Sequence, residues 1–279
     1  MGYVLLFYGN DISTIIRKVD LLYLPLIFLL SILQYVFSAW RWYFIASKTQ
    51  SLINYNDALK YYYISGFLNN ILPSGVIGDI YRTMNIKVNN RNKGSFLKSF
   101  QSVLFERLSG QITLIITFIF SLALFFLVNH KYTAFLYVVF IIFAGLSLVK
   151  IFFVYQQKNK FIINFKYIFS GKRFYKHFFL SLIIVLTYIT TYIICAFSLN
   201  LDIDIISFFV FAPIILFSMT LPVSIGGWGV RETTALLISF LLGLSVSASV
   251  TVSIVYGLMN LACSLPGMYF LFNKTWIRD

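Results

Sequence analysis

The residues of this sequence that are best suited to chemistry are charged side chains within or beside long apolar runs. They are Asp79, Arg82, Glu106, Arg107, Arg231 and Glu232. A charged group inside a membrane costs roughly 2.5 to 3.5 kcal/mol on insertion scales, so each needs a partner or a function. Arginine suits a phosphate because its planar fork donates two parallel hydrogen bonds. The set predicts a binding site for an anionic group, with the carboxylates balancing the charge of the empty site.

Two of these arginines end segments that share a pattern. The segments "LPSGVIGDIYR", ending at Arg82, and "LPVSIGGWGVR", ending at Arg231, both read L-P-x4-G-x3-R. Proline removes a backbone donor and glycine adds flexibility, so neither apolar run continues as one straight helix. The predicted helix breaks are at Pro73, Gly78, Pro222, Gly226 and Gly227. Asn69 and Asn70 are placed to satisfy freed backbone groups. Irregular backbone at membrane depth is tolerated where it lines a watery cavity, so the breaks predict a cavity.

The composition identifies the elements that must position these residues. Of 279 residues, 59% are hydrophobic and 11% are charged, whereas soluble domains carry about 25% charged residues. We therefore predict a single integral membrane domain over residues 1–279, an all-α polytopic fold with about 7–8 transmembrane segments. Continuous spans are predicted over Leu21–Phe44, Val103–Val128, Tyr132–Val154, Phe178–Leu199 and Val246–Phe272. Broken or re-entrant helices are predicted over Asp57–Leu72 and Ile205–Leu242.

The two breaks suggest an internal repeat, with one unit over roughly residues 21–128 and the other over roughly 132–272. An odd number of predicted spans separates the breaks, so the two hairpins open toward opposite faces of the membrane. Paired Gly/Pro-interrupted segments in an inverted repeat are typical of transporters that bind near the membrane midplane. Alternatively, two membrane-buried turns resemble each other because such turns favour proline and glycine. That alternative leaves the matched arginines unexplained.

The charges of the connecting segments predict an orientation. Basic residues are concentrated in Asp79–Phe100 and Tyr155–His177, whereas Asn200–Asp204 holds two aspartates and no basic residue. The positive-inside rule places the first two segments in the cytoplasm and the third outside. Lys274 and Arg278 then predict a cytoplasmic C-terminus. The net charge of +13 is explained by topology and anionic lipids, so nucleic-acid binding is not expected.

A few further residues have ordinary explanations. Cys195 and Cys263 lie in apolar runs without metal-ligand spacing, so they are predicted core residues, and neither a metal nor a cofactor is expected. His130 and His177 are predicted to lie in loops with a solvated role. Arg41, between two tryptophans, is predicted to snorkel to the membrane interface.

The sequence contains no nucleotide-binding glycine loop, zinc spacing or serine elbow. We therefore expect no catalytic residues and a transporter-like protein. One alternative is a membrane-embedded transferase acting on a lipid phosphate, in which Asp79 or Glu106 serves as a base and arginines clamp the phosphate. Another is a non-catalytic membrane partner of an enzyme that makes lipids or the cell envelope.

Four segments resemble one family. They are "WRW" at 40–42, "GFLNNILPSGVIGDIYR" at 66–82, "LFERLSG" at 104–110 and "LPVSIGGWGVRE" at 221–232. In this order they resemble the membrane region of lysylphosphatidylglycerol synthases and related stand-alone flippase-like proteins. The resemblance implies a protein of the cell (inner or plasma) membrane that moves an anionic phospholipid, or an isoprenoid- or glycolipid-linked phosphate, between leaflets. A lipid- or polysaccharide-synthesis enzyme is a further expected partner.

The sequence departs from the family pattern in three places. The first break has Ile77 and Gly78 where the family usually has two adjacent glycines before the aspartate. The apolar stretch Met1–Tyr8 is shorter than a spanning helix, so the family's first span is expected to be missing or shortened. The sequence ends at Asp279, directly after its last apolar run. The soluble aminoacyl-transfer domain of the synthases is therefore expected to be absent.

Overall fold

The structure is a computed structural model that describes residues 2–49, 51–88, 95–138, 160–221 and 224–273. The described residues are almost entirely helical. The helices are α1 (Gly2–Ile16), α2 (Leu24–Lys48), α3 (Tyr55–Ile71), α4 (Ile77–Asn85), α5 (Ser95–Val128), α6 (Lys160–Ile168), α7 (Gly171–Ser198), α8 (Ile205–Ser218), α9 (Val230–Leu237) and α10 (Val246–Phe272). Residues 132–138 are also helical. The strands β1 (Ser51–Leu52) and β2 (Lys87–Val88) form one antiparallel ladder.

Among the described residues, four helices are long and apolar enough to cross a membrane. They are Leu21–Lys48, Phe96–Val128, Gly171–Ser198 and Val246–Phe272. Four of the five predicted continuous spans are thereby confirmed, although α5 and α7 begin about two turns before the predicted starts. The fifth, Tyr132–Val154, lies outside the described residues beyond position 138, as do Lys274 and Arg278. Helix α1 has 15 residues, which is shorter than a span.

Both predicted helix breaks are present. Helix α3 ends at Ile71, and Pro73 begins a 3-10 turn that leads into α4 at Ile77. Helix α8 ends at Ser218, and the chain becomes helical again at Val230. Between them Gly226 and Gly227 have φ of +57° and +83°, a left-handed region that favours glycine. The resumed segment is α9 followed by a 3-10 turn over Ser239–Leu242. Pro222 lies outside the described residues.

The main core joins α7, α8 and α10, where Tyr192, Phe208 and Val252 are almost fully buried. Helix α3 packs against α10, and α2 packs against α7. Gly267 of α10 permits the close approach of α10 to α3, because a Cβ at this position would lie 2.1 Å from the Tyr63 carbonyl oxygen. The N-terminal and C-terminal parts of the chain are therefore interlocked. The two cysteines are buried and free, as predicted.

Candidate functional site

Glu106 is the centre of what we call the first ion cluster. It lies about three turns inside α5, and its side chain is 1% exposed. Arg41 of α2 donates from Nε to Oε1 at 3.1 Å, and Arg82 of α4 donates from both Nη atoms to Oε2 at 3.3 Å. The hydroxyl of Tyr62 on α3 donates to Oε1 at 3.2 Å. One carboxylate therefore ties four helices together.

Asp79 and Arg107 complete the first ion cluster. Arg82 Nη2 contacts Asp79 Oδ1, and Arg107 Nε lies 2.9 Å from Asp79 Oδ2. The first break positions Asp79, because a Cβ at Gly78 would lie 2.2 Å from the Ser65 carbonyl oxygen. Glycine therefore lets α4 pack directly on α3.

The backbone of the first break is satisfied as the sequence predicted. Asn69 Oδ1 accepts a hydrogen bond from the Gly78 amide at 2.8 Å, and Asn70 Nδ2 donates to the Gly66 carbonyl at 3.0 Å. The Asn69 bond satisfies an amide that the break leaves without a helical partner, whereas the Asn70 bond lies within α3.

The first ion cluster lines a cavity of about 250 Å³, which confirms that the breaks border an open space. The arginine side chains differ in exposure: 6% for Arg41, 3% for Arg82 and 30% for Arg107. Arg107 Nη2 donates to the Gly75 carbonyl at 2.7 Å, whereas its Nη1 makes no hydrogen bond within the described residues. Arg107 is therefore the arginine that a bound anion can reach.

The two helix breaks meet at this cavity. A Cβ at Gly226 would lie 2.7 Å from the carbonyl oxygen of Asn70, so the second break touches the end of α3. Asn260 of α10 donates from Nδ2 to Asn70 Oδ1 at 3.3 Å. Gln111 and Thr220 also line the cavity. Its wall therefore combines segments from both ends of the chain.

Arg231 and Glu232 form a second ion cluster that is not on the cavity wall. Their side chains are 0% and 1% exposed. Arg231 donates to Glu232 Oε1 from Nη2 at 2.6 Å and to Ser253 from Nε at 3.1 Å. The Gly229 amide, at the start of α9, donates to Glu232 Oε2 at 2.5 Å. The structure therefore does not bring Arg231 and Glu232 into one site with Arg82, and the start of α9 is capped by its own glutamate.

The two arginines of the shared pattern have similar aromatic surroundings. The guanidinium of Arg82 lies 4.8 Å from the ring centroid of Trp42 and 4.6 Å from that of Tyr62. The guanidinium of Arg231 lies 5.1 Å from the centroid of Trp228 and 5.6 Å from that of Tyr256. Each arginine is thus held between one tryptophan and one tyrosine, an arrangement that stabilises a desolvated cation.

The expectations for Arg41 and His177 are wrong. Arg41 is 5% exposed and donates from Nη1 to Ser181 Oγ at 2.9 Å, so it does not snorkel. Ser181 Oγ lies 2.9 Å from Ser109 Oγ, which lies 2.8 Å from His177 Nδ1. His177 is fully buried because α7 begins at Gly171, ahead of the predicted span. The signal that could have identified Arg41 was the need of a membrane-buried glutamate for a cation.

The helical fold, the membrane-span candidates and the buried ion clusters define an integral membrane protein. Residues 1–267 match the family described as "Lysylphosphatidylglycerol synthase TM region". The chain belongs to this family, and the resemblance of its four segments is confirmed. No similar protein of curated function and no similar solved structure was found.

Proposed function

We propose that the protein moves an anionic lipid between the leaflets of the cell membrane, with the headgroup in the cavity. The lipid is a phospholipid or an isoprenoid- or glycolipid-linked phosphate. The observation that carries the proposal is the partly exposed Arg107 on the wall of a cavity where two helix breaks meet. Its Nη1, which makes no hydrogen bond within the described residues, can donate a charge-assisted hydrogen bond to a phosphate oxygen. Membership of the family supports a lipid as the ligand.

The proposal assigns different roles to the six charged residues. Arg107 contacts the phosphate, while Asp79, Arg82 and Glu106 hold the first break in place and balance charge. Arg231 and Glu232 hold the second break. Burial supports this division, because a fully desolvated ion pair is costly to open.

An inverted repeat is part of the proposed mechanism. Each half of the chain has a helix that breaks, followed by an arginine between a tryptophan and a tyrosine. In transporters of this design one half moves against the other around a site between them. The basic segments are proposed to face the cytoplasm, and a lipid- or polysaccharide-synthesis enzyme is proposed to supply the lipid.

Transport is favoured over a lipid-phosphate transferase by the state of the carboxylates. A general base needs a carboxylate that is free to accept a proton. Glu106 is held by Arg41 and Arg82, and Asp79 is held by Arg82 and Arg107. Mass spectrometry of lipids after incubation separates the two functions, since a transferase creates a new covalent species and a transporter does not.

The test is a leaflet-accessibility assay with a fluorescent phospholipid in reconstituted vesicles. Arg107→Gln is expected to reduce the transfer rate at least about tenfold, because a lost charged hydrogen bond is worth about 1.5 to 3 kcal/mol. Arg107→Lys is expected to be intermediate, because it keeps the charge and loses the fork. Lys131→Gln, which removes an exposed charge, is the matched control. Wild-type transfer by Arg107→Gln would overturn the proposal.

A further inference from the structure

The charge of the cavity wall is nearly balanced, and this limits the ligand. Its charged lining residues are Arg41, Asp79, Arg82, Glu106 and Arg107. Each carboxylate contacts two arginines. Three cations against two anions leave one excess positive charge. A ligand with one negative charge neutralises this wall, whereas a second negative charge would have no partner in a partly desolvated site.

Besides hydroxyl groups, the wall carries uncharged amides with both donors and acceptors to offer. Asn69 uses Oδ1 for the Gly78 amide, which leaves its Nδ2 available. Asn260 uses Nδ2 for Asn70, which leaves its Oδ1 available. Gln111 makes no hydrogen bond to the described residues, and all three side chains are partly exposed. Hydroxyl groups match this mixture because each both donates and accepts.

An ammonium group does not match the wall. It carries donors and no acceptor, so on desolvation it needs a carboxylate or several carbonyls. Both carboxylates of the cavity are already held by arginines. A lysylated headgroup would bring further positive charge to a wall that already has an excess of it.

We infer that the cavity selects a lipid whose headgroup is a singly charged phosphodiester with uncharged hydroxyl groups. It discriminates against phosphomonoester headgroups and against lysylated ones, although the family is described by a lysylated lipid. This inference rests on the proposed function and specifies its substrate class.

The first experiment is a lipid competition read by native mass spectrometry of the purified full-length protein. The probes share the same acyl chains and are phosphatidylglycerol, phosphatidic acid, phosphatidylcholine and lysylphosphatidylglycerol. At about pH 8 a phosphomonoester carries nearly two negative charges. Phosphatidylglycerol is expected to be retained about tenfold over each of the other three, a difference of about 1.4 kcal/mol. Equal retention, or preference for phosphatidic acid or the lysylated lipid, would overturn the inference.

The second experiment shifts the charge of the wall at one position. Gln111 lies one helical turn after Arg107 on α5 and lines the cavity. Gln111→Glu removes the excess charge, so the tenfold preference for phosphatidylglycerol over phosphatidylcholine is expected to disappear. Gln111→Lys doubles the excess, so phosphatidic acid is expected to become the preferred lipid.

Asn129→Glu and Asn129→Lys make the same changes at an exposed position just beyond the end of α5. These control variants are expected to keep the wild-type preference. If Gln111 and Asn129 variants alter the preference equally, overall charge explains it and the inference is wrong.

Transfer measurements on the same lipids separate this inference from the proposed function. Selective binding of phosphatidylglycerol without transfer would overturn the transport proposal and keep the ligand class. Equal transfer of phosphatidylglycerol and phosphatidic acid, well above that of the other two lipids, would keep the transport proposal and overturn the ligand class.

Discussion

The two ion clusters follow the same sequence pattern, yet one borders a cavity and the other is sealed. Arg82 of α4 is paired with Glu106 of α5, across an interface between helices. Arg107 lies beside this pair and is partly exposed. Arg231 is paired with Glu232, the next residue of its own helix, and it also donates to the neutral Ser253 of α10. The arginine of the pattern therefore indicates a buried ion pair. The residues around that pair decide whether a ligand can reach it.

The largest expected difference between the clusters is in stability. Arg231→Met leaves the fully buried Glu232 without its cation, so the free energy of unfolding is expected to fall by about 3 to 5 kcal/mol. Denaturant unfolding in detergent measures this loss. Adding Glu232→Gln is expected to restore part of it, because an amide can still accept from Gly229 without carrying a charge. A loss below about 1 kcal/mol in the single variant would show that the cluster is not sealed.

A matched pair of glycine substitutions compares the space around the two clusters. A Cβ at Gly257 would lie 2.0 Å from Arg231 Nη2, whereas a Cβ at Gly110 would lie 3.2 Å from Arg41 Nη1. Gly257→Ala is expected to cost about 1 to 3 kcal/mol by overpacking. Gly110→Ala is expected to be nearly neutral, because the helix propensity of alanine offsets a mild contact. Thermal unfolding of both variants tests the contrast, and equal melting temperatures would remove it.

Replacing Arg107 is expected to affect lipid transfer strongly and stability weakly, whereas replacing Arg231 is expected to affect stability most. Its ion pair with Asp79 is partly exposed, so Arg107→Gln is expected to change the free energy of unfolding by about 1 kcal/mol or less. The same variant is expected to lose lipid transfer. Measuring unfolding and transfer on one preparation checks this separation. Parallel losses of both would make Arg107 a structural residue like Arg231.

The smallest expected difference is in the residues that begin the two broken helices. Asn54 caps α3 by accepting from the Asp57 amide at 2.8 Å, and Asp204 caps α8 by accepting from the Ser207 amide at 3.2 Å. Asp204 also accepts from the Ser207 hydroxyl at 2.6 Å. The hydrogen bond from that hydroxyl lowers the pKa of the Asp204 carboxyl. The stabilising effect of the ionised Asp204 carboxylate is therefore complete above the ordinary aspartate pKa. It is lost as the pH falls through the lowered pKa.

The acid sensitivity of Asp204 is measured against Asp204→Asn, which cannot titrate. Unfolding is followed from about pH 6 down to about pH 3, so that the measurement ends below the ordinary aspartate pKa of about 3.9. The wild-type protein is expected to lose more stability than the variant, by about 1 kcal/mol or less. Parallel curves for the two proteins would show that the cap does not depend on charge.

The sequence predicted the parts of this molecule that depend on local chemistry. Proline and glycine act on their own backbone, so both breaks could be predicted. Hydropathy located four spans that the structure confirms. The starts of α5 and α7 were predicted too late, because polar first turns are helical without being apolar.

The pairing of charges could not be predicted, because it depends on which helices pack together. Arg41 looked like an interface anchor from its tryptophan neighbours, yet its partner Glu106 is on another helix. Arg231 looked like a ligand residue from its match to Arg82, yet it is paired with its own neighbour Glu232. Exposure, which distinguishes Arg107 from the others, is a property of tertiary structure alone.

The buried chain from His177 to Arg41 has a fixed direction for its protons. Ser181 has one hydroxyl proton, and it donates this proton to the His177 carbonyl at 2.8 Å. Ser109 must therefore be the donor to Ser181, and it must accept from His177 Nδ1. The imidazole then carries its proton on Nδ1 and a lone pair on Nε2. Reversing any one of these bonds would require its neighbours to reverse, so the tautomer of His177 is set by the same hydroxyl that receives Arg41.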